Sequence, residues 1–354
     1  MGNIIGYNIF NIFNIFENNK HENNIMPIYI FNMLWIKLTK TLQTLYISDK
    51  RISALDGIQN GTALQTLNIS QNGIDSLDSI QYSTALEYLY ISYNKLVSLN
   101  CLQYFTALQY LDIEGNTIDS LDGLEHCKDL QTLYISRNTI DSLDGLEHCK
   151  ALKYLDISYN KLVSIDGIEN CRDLLRLNVS FNKISTIDYL DSIQYSTALL
   201  DLNISNNKLV SLNGLQNCRS LQHLDISYNK LVSIDGIENC RDLLRLNVSF
   251  NKISTIDSLD SIKYSTTLEY LDISYNKLVS LNGLQNCRSL QHLDISHTNI
   301  TSLPAYLIDF KDMKVLFYQR SELDNELDSD MKTWLTQFKD MYPCKDSFPY
   351  LEEQ

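Results

Sequence analysis

The chain has 354 residues, 44% of them hydrophobic, with 43 acidic against 29 basic side chains and a formal net charge of −14. Such a charge repels phosphate backbones and anionic lipid surfaces, which argues against nucleic acid and against a membrane as primary ligand. Four prolines and twelve glycines leave no linker-like stretch, so the chain reads as one elongated domain, not the two or three its length would allow.

Residues 1–27 open with MGNIIGYNIFNIFNIFENN, an Ile/Phe/Asn-biased run read as a low-complexity, poorly ordered extension. It has no basic n-region or small-residue cleavage site, and its apolar part is too short and polar to span a bilayer. Gly6 stands where a myristoylation motif wants Ser or Thr. Residues 28–41 carry enough apolar bulk to act as an N-terminal cap on a repeat array.

From Leu42 to about residue 320 the chain repeats LxxLxIsxNxIxsLdgLxxcxx in roughly twelve copies of 22 residues, with two copies of 25, and a last strand begins near Met313. Counting the opening Leu as place one, the apolar residues at places one, four and six share an interior, while places three and five alternate outward, as a short parallel strand requires. Each copy should therefore supply one strand to a solenoid, and the three extra residues of the longer copies fall on its outer side.

Asn recurs at place nine, as Asn72, Asn94, Asn116, Asn138, Asn160, Asn182, Asn207, Asn229, Asn251 and Asn276. An inward amide at this turn can satisfy backbone groups of adjacent coils, a structural ladder. The Asp-Gly step after the core Leu, for example Asp122-Gly123, is expected to cap a short helical segment. Cys127, Cys149, Cys171, Cys218, Cys240 and Cys287 recur at place twenty and read as a buried reduced ladder, although coils about 5 Å apart also admit disulfides such as Cys127 to Cys149. Residues 152–220 recur as 221–289, so any repeated residue owes part of its recurrence to duplication. Residues 321–354 read as a C-terminal cap or tail.

The motif LxxLxIsxNxIxxL resembles that of the leucine-rich repeat superfamily. The 22-residue copy with its LdgLxxcxx tail is similar to the class found in the regulatory subunit of type-one protein phosphatase, and bacterial internalins use a similar length. The resemblance implies an α/β fold: a curved horseshoe solenoid with parallel strands on the concave face and short helical or irregular segments on the convex face.

On that geometry the concave face is lined by places three, five and eight. The candidate protein-binding residues are Tyr88, Tyr90, Tyr93, Tyr110, Asp112, Tyr134, Tyr154, Asp156, Tyr159, Arg176, Phe181, His223, Asp225, Tyr228, Arg245, Phe250, Tyr270, Asp272 and Tyr275. Tyrosine brings large area with a polar tip and is enriched at protein interfaces. Stacking between coils is the competing structural reading of the place-eight rings.

No P-loop, HExxH, GxGxxG or nucleophile elbow occurs, so neither catalysis, nor a metal, nor a cofactor is expected. Of six Asn-x-Ser/Thr sequons most, such as Asn68-Ile69-Ser70, follow the strand's own pattern. The expectation is a monomeric scaffold or regulatory subunit, cytoplasmic or nuclear, gripping a protein partner for which a phosphatase catalytic subunit is a candidate. The alternative is an internalin-like surface or secreted adhesin.

Overall fold

A computed structural model describes residues 41–55, 58, 61–191, 198–261, 267–318 and 328–338. The expected extension over 1–27 lies outside these residues, as do the cap over 28–41 except Thr41, the Asp56-Gly57 step and most of 321–354. Thirteen three-residue strands run parallel in chain order. The coils fall into two compact units.

The first unit holds β1 (Thr44–Tyr46), β2 (Thr66–Asn68), β3 (Tyr88–Tyr90), β4 (Tyr110–Asp112), β5 (Thr132–Tyr134) and β6 (Tyr154–Asp156), together with Asp166–Asp173. Val163–Ile165 belong to the second, with β7 (Arg176–Asn178), β8 (Asp201–Asn203), β9 (His223–Asp225), β10 (Arg245–Asn247), β11 (Tyr270–Asp272), β12 (His292–Asp294) and β13 (Val315–Phe317). Within each unit every strand pairs with the next in a register that superposes equal places, such as Leu67 on Leu89 and Leu224 on Leu246.

That register follows from the repeat. The middle residue of each strand is a Leu pointing inward, and a slip of one residue would expose the whole apolar set. Leu67, Leu89, Leu111, Leu224 and Leu246 are completely buried, as are Ile69, Ile91, Ile226 and Val248 two places on. Each contributes roughly 1.5–3 kcal/mol by leaving water. None of this burial exists for a single coil, because the atoms that cover one coil belong to its neighbours.

The place-nine amides close the turn after each strand. Asn94 Oδ1 accepts the Ile74 N–H of the preceding coil at 2.9 Å. Its Nδ2 donates to the preceding coil's Ile69 carbonyl at 3.0 Å, and to Ile91 and Ser92 of its own turn. Asn229 repeats the set with Leu209, Ile204, Ile226 and Ser227. The same pattern recurs at Asn72, Asn116, Asn138, Asn160, Asn207, Asn251 and Asn276. Asn182 donates to Val179 and Ser180 of its own coil. At the last copy Thr298 takes the place, its hydroxyl donating to Ile295 at 2.7 Å.

The Asp-Gly step is a correction. Asp122 caps no helix: the three-residue 3₁₀ turn Leu124–His126 begins at Gly123 without a side-chain cap bond. Ser120 Oγ accepts the Asp122 N–H instead, and Glu125 accepts that of Gly123. The glycine serves backbone conformation and space. Its φ is +106°, and a Cβ would lie 2.2 Å from the Leu99 carbonyl oxygen of the preceding coil. In the two longer copies the chain after the turn forms a 3₁₀ segment, Asp188–Asp191, and a single α turn, α1 (Ser258–Ser261).

Place twenty carries buried thiols outside any disulfide at Cys127, Cys149, Cys171, Cys218, Cys240 and Cys287, with Cys101 buried elsewhere. Burial pushes the Cys127, Cys149 and Cys171 thiols up to about 12, so they stay protonated. Cys149 Sγ donates weakly to the Leu124 carbonyl of the coil before, at 3.7 Å. In the copy of Leu64 the place is taken by Ser83, whose hydroxyl is fully buried and has no hydrogen-bond partner.

The C-terminal end of the second unit is covered by α2 (Ser329–Leu335), N-capped by Asp328, whose carboxylate accepts the Met331 N–H at 2.7 Å. Met331, Trp334, Leu335 and Phe338 are buried there, the two rings meeting edge to face.

Candidate protein-binding surface

Outward side chains fall into two rows, one on the sheet and one on the turn beyond it. Places three and five stand on the sheet face. Place eight lies beyond the strand end, at a residue in the left-handed region: Tyr93, Arg137, Tyr159, Phe181, Tyr228, Phe250, Tyr275 and His297 all have φ between 52° and 57°. For a bulky residue this backbone costs on the order of 1–2 kcal/mol, so the recurrence of rings here has to be compensated by what they touch.

On the sheet of the first unit, Tyr88, Tyr90, Tyr110 and Tyr134 form one aromatic group. Ring centroids are 4.7 Å apart for Tyr90–Tyr110, 5.8 Å for Tyr110–Tyr134 and 6.4 Å for Tyr88–Tyr110. Burial raises the Tyr90 and Tyr110 phenols above their usual range, with neighbouring phenols and Asp112 adding to it. They are therefore hydrogen-bond donors at neutral pH. Tyr154 and Asp156 follow on β6.

On the sheet of the second unit the same places carry charge. Arg176 pairs with Asp201 at 2.8 Å, and Asp201 also holds His223 Nδ1. The Arg245 guanidinium lies over the Tyr270 ring, 5.1 Å from its centroid, and Tyr270 stacks on His292 at 4.4 Å. Burial, with Arg245 beside it, lowers His292 to about 4, so that ring is neutral.

Place five has a role that sequence reasoning missed. Asp225 Oδ1 accepts the Ser227 N–H, two residues on, at 2.9 Å. Asp112, Asp156, Asp272 and Asp294 do the same, as do Asn68, Asn178, Asn203 and Asn247. These Asx turns bend the chain out of the strand. The expectation of outward, partner-facing carboxylates is corrected most clearly at Asp225, which is only 8% exposed. Desolvation raises Asp225 and Asp272 to about 6. The recurring Asn/Asp-x-Ser spacing was the available signal, and it is also why the sequons recur.

Along the turn of the first unit, polar and charged side chains pair from coil to coil. Tyr93 OH donates to Glu114 at 2.7 Å, Glu114 pairs with Arg137 at 3.1 Å, and Arg137 covers the Tyr159 ring at 4.7 Å. Gly115 takes place eight beside Tyr93, where a Cβ would lie 2.7 Å from the tyrosine ring. In the second unit the rings of Tyr228, Phe250, Tyr275 and His297 form a continuous stack, with centroids 4.0–4.1 Å apart and planes within 13°. The stack, with Lys252 and Lys277, lines an open groove of about 630 Å³. Among the described residues no group of His, Cys, Asp or Glu could hold a metal ion, and no helix is long and apolar enough to cross a membrane.

A family model described as leucine-rich repeat matches residues 40–96 and 62–118. A second, for two copies of the repeat, matches 106–148, 128–170, 150–192, 219–261 and 266–320. No curated protein sequence matches the chain. Among solved structures, an internalin, InlF of Listeria monocytogenes, is 22% identical over 86% of this chain and 87% of its own, with a TM-score of 0.78. The functional domain of InlJ from the same bacterium, described as including a cysteine ladder, is 26% identical over 86% of this chain and 68% of its own, TM-score 0.70. A plant peptide hormone receptor, RGFR1 in complex with RGF2, is 21% identical over 79% of this chain and 52% of its own, TM-score 0.63.

Proposed function

We propose that this chain, which belongs to the leucine-rich repeat family, is a non-enzymatic scaffold that binds a protein partner on its outward sheet face. The observation that carries the reading is the Tyr88, Tyr90, Tyr110 and Tyr134 group of the first unit. Its rings provide rigid contact area at little entropic cost, and burial holds the Tyr90 and Tyr110 phenols as donors. Arg176, His223, Arg245 and Tyr270 extend the reading to the second unit, where charge sets the register of the partner more than its affinity. In this reading the chain acts as a monomer in the cytoplasm or nucleus. The repeat length and its LdgLxxcxx tail make a phosphatase catalytic subunit the first partner to try.

The test is affinity capture with the full chain against a variant carrying Tyr88→Ala, Tyr90→Ala, Tyr110→Ala and Tyr134→Ala, with circular dichroism confirming that both fold. Partners lost from the variant support the sheet face. Equal recovery of every partner overturns it, and a lost set without a phosphatase removes the regulatory form.

A second reading, an internalin-like surface or secreted adhesin, is supported by the buried cysteine series, a feature also named for the InlJ domain. Labelling of intact cells with an impermeant amine reagent separates the two. A labelled chain favours the adhesin, an unlabelled one the intracellular scaffold.

A further inference from the structure

The turn row of the second unit has its own chemistry. Because Tyr228, Phe250, Tyr275 and His297 stack face on face, each inner ring has both faces covered by its neighbours and shows only its edge to solvent. A sugar or a nucleobase needs a free ring face to stack on, and the inner rings offer none. The edge of an aromatic ring is the positive part of its quadrupole. Two places further on, six successive coils each carry an exposed lysine, at 161, 183, 208, 230, 252 and 277, the last five in the second unit.

Neighbouring coils are about 4.8 Å apart, so these ammonium groups repel one another along the row. Among the described residues no ion pair takes Lys230, Lys252 or Lys277. The coil does not require this arrangement. In the first unit Lys95 and Lys161 stand at this place too, but between them Thr117 and Thr139 occupy it, and each hydroxyl bonds to the coil before. A cationic strip edged by aromatic hydrogens, on a chain of net charge −14, is a local reversal of the molecule's field.

We propose that this strip docks an extended, carboxylate-rich segment of a protein partner, laid along the Tyr228–Phe250–Tyr275 stack with its Asp and Glu side chains on Lys230, Lys252 and Lys277. Ring edges and ammonium groups both favour carboxylates, and each relieves the repulsion within the row. The groove is distinct from the sheet face and does not depend on the tyrosine group of the first unit.

The experiment is fluorescence anisotropy of a labelled oligoglutamate peptide titrated with the full chain at low ionic strength. Lys252→Glu with Lys277→Glu is expected to weaken binding about tenfold or more, and raising the salt should weaken the unaltered chain as well. Lys128→Glu with Lys150→Glu makes the same change of net charge on exposed lysines of the first unit and is expected to cost no more than about twofold. Phe250→Asn interrupts the stack while keeping a residue type that the array already tolerates there, at Asn206, and should weaken binding with the fold intact. The proposal is overturned if oligoglutamate does not bind, if both lysine pairs lower affinity equally, or if a heparin oligosaccharide binds where oligoglutamate does not.

Discussion

The two units are built on the same interior pattern and differ in what they show. In the first, the sheet face is a neutral tyrosine group and the turn row is charge-paired through Glu114 and Arg137. In the second the assignment is exchanged: the sheet face carries Arg176, Asp201, His223 and Arg245, while the turn row stacks rings beside a row of lysines. Leu, Ile and Asn at the inward places recur through both units, and Cys fills place twenty in three coils of each. The coil's backbone therefore leaves places three, five, eight and ten open to change, and those are where the outward faces of the two units differ.

The largest expected effect probes what the units have in common. Asn94→Ala in the first and Asn229→Ala in the second each strand a backbone N–H and carbonyls of two coils, and each should cost about 3–5 kcal/mol in urea unfolding. A difference of more than about 1 kcal/mol between them would mean that the interiors are not equivalent.

Asp225→Asn sharpens the contrast on the sheet face of the second unit. Burial raises this carboxyl from 3.8 to about 6, so the folded chain binds its proton more tightly than the unfolded one. Stability from this group falls as pH rises from about 4 to about 6, and the full cost is present at neutral pH. Asn keeps the Oδ1 acceptor and is already used at Asn203 and Asn247. The substitution should stabilise the chain by about 1–3 kcal/mol at pH 7 and by little below about pH 4, read from thermal melts across that range. A pH-independent gain would show that desolvation of the carboxylate is not its source.

The smallest effect brings the first unit into line with the second. Ser83→Cys replaces an unpartnered buried hydroxyl by the thiol found at this place in six other copies, and should gain about 1 kcal/mol in urea unfolding. A loss would mean that the cavity beside Gly61 is shaped for the smaller oxygen.

Periodicity made the fold legible. Leu and Ile at places one, four and six have only one arrangement that buries them, and the Asn at place nine has only inward backbone to bond. The outward places were less legible because their residues serve two masters. Asp225 and Asp272 read as exposed carboxylates, yet the serine two residues on draws them into the turn. Tyr228 and Phe250 read as part of a single aromatic face, but the left-handed backbone at place eight removes them from the sheet and lets them stack on each other. Coil-to-coil stacking was open to the sequence as the competing reading of the place-eight rings, but choosing it over a shared sheet face depends on a backbone angle that the side-chain pattern does not encode. The lysine row was in plain sight in the recurring Asn-Lys pair, and its meaning came only with the covered ring faces beside it.

The thiols at place twenty give this array a built-in set of reporters. Cys127, Cys149 and Cys171 in the first unit and Cys218, Cys240 and Cys287 in the second are each buried, unbridged and at the same depth in different coils. An alkylating reagent reaches any of them only when its own coil opens, so the order in which they are modified in mild denaturant maps, position by position, where the stack begins to come apart.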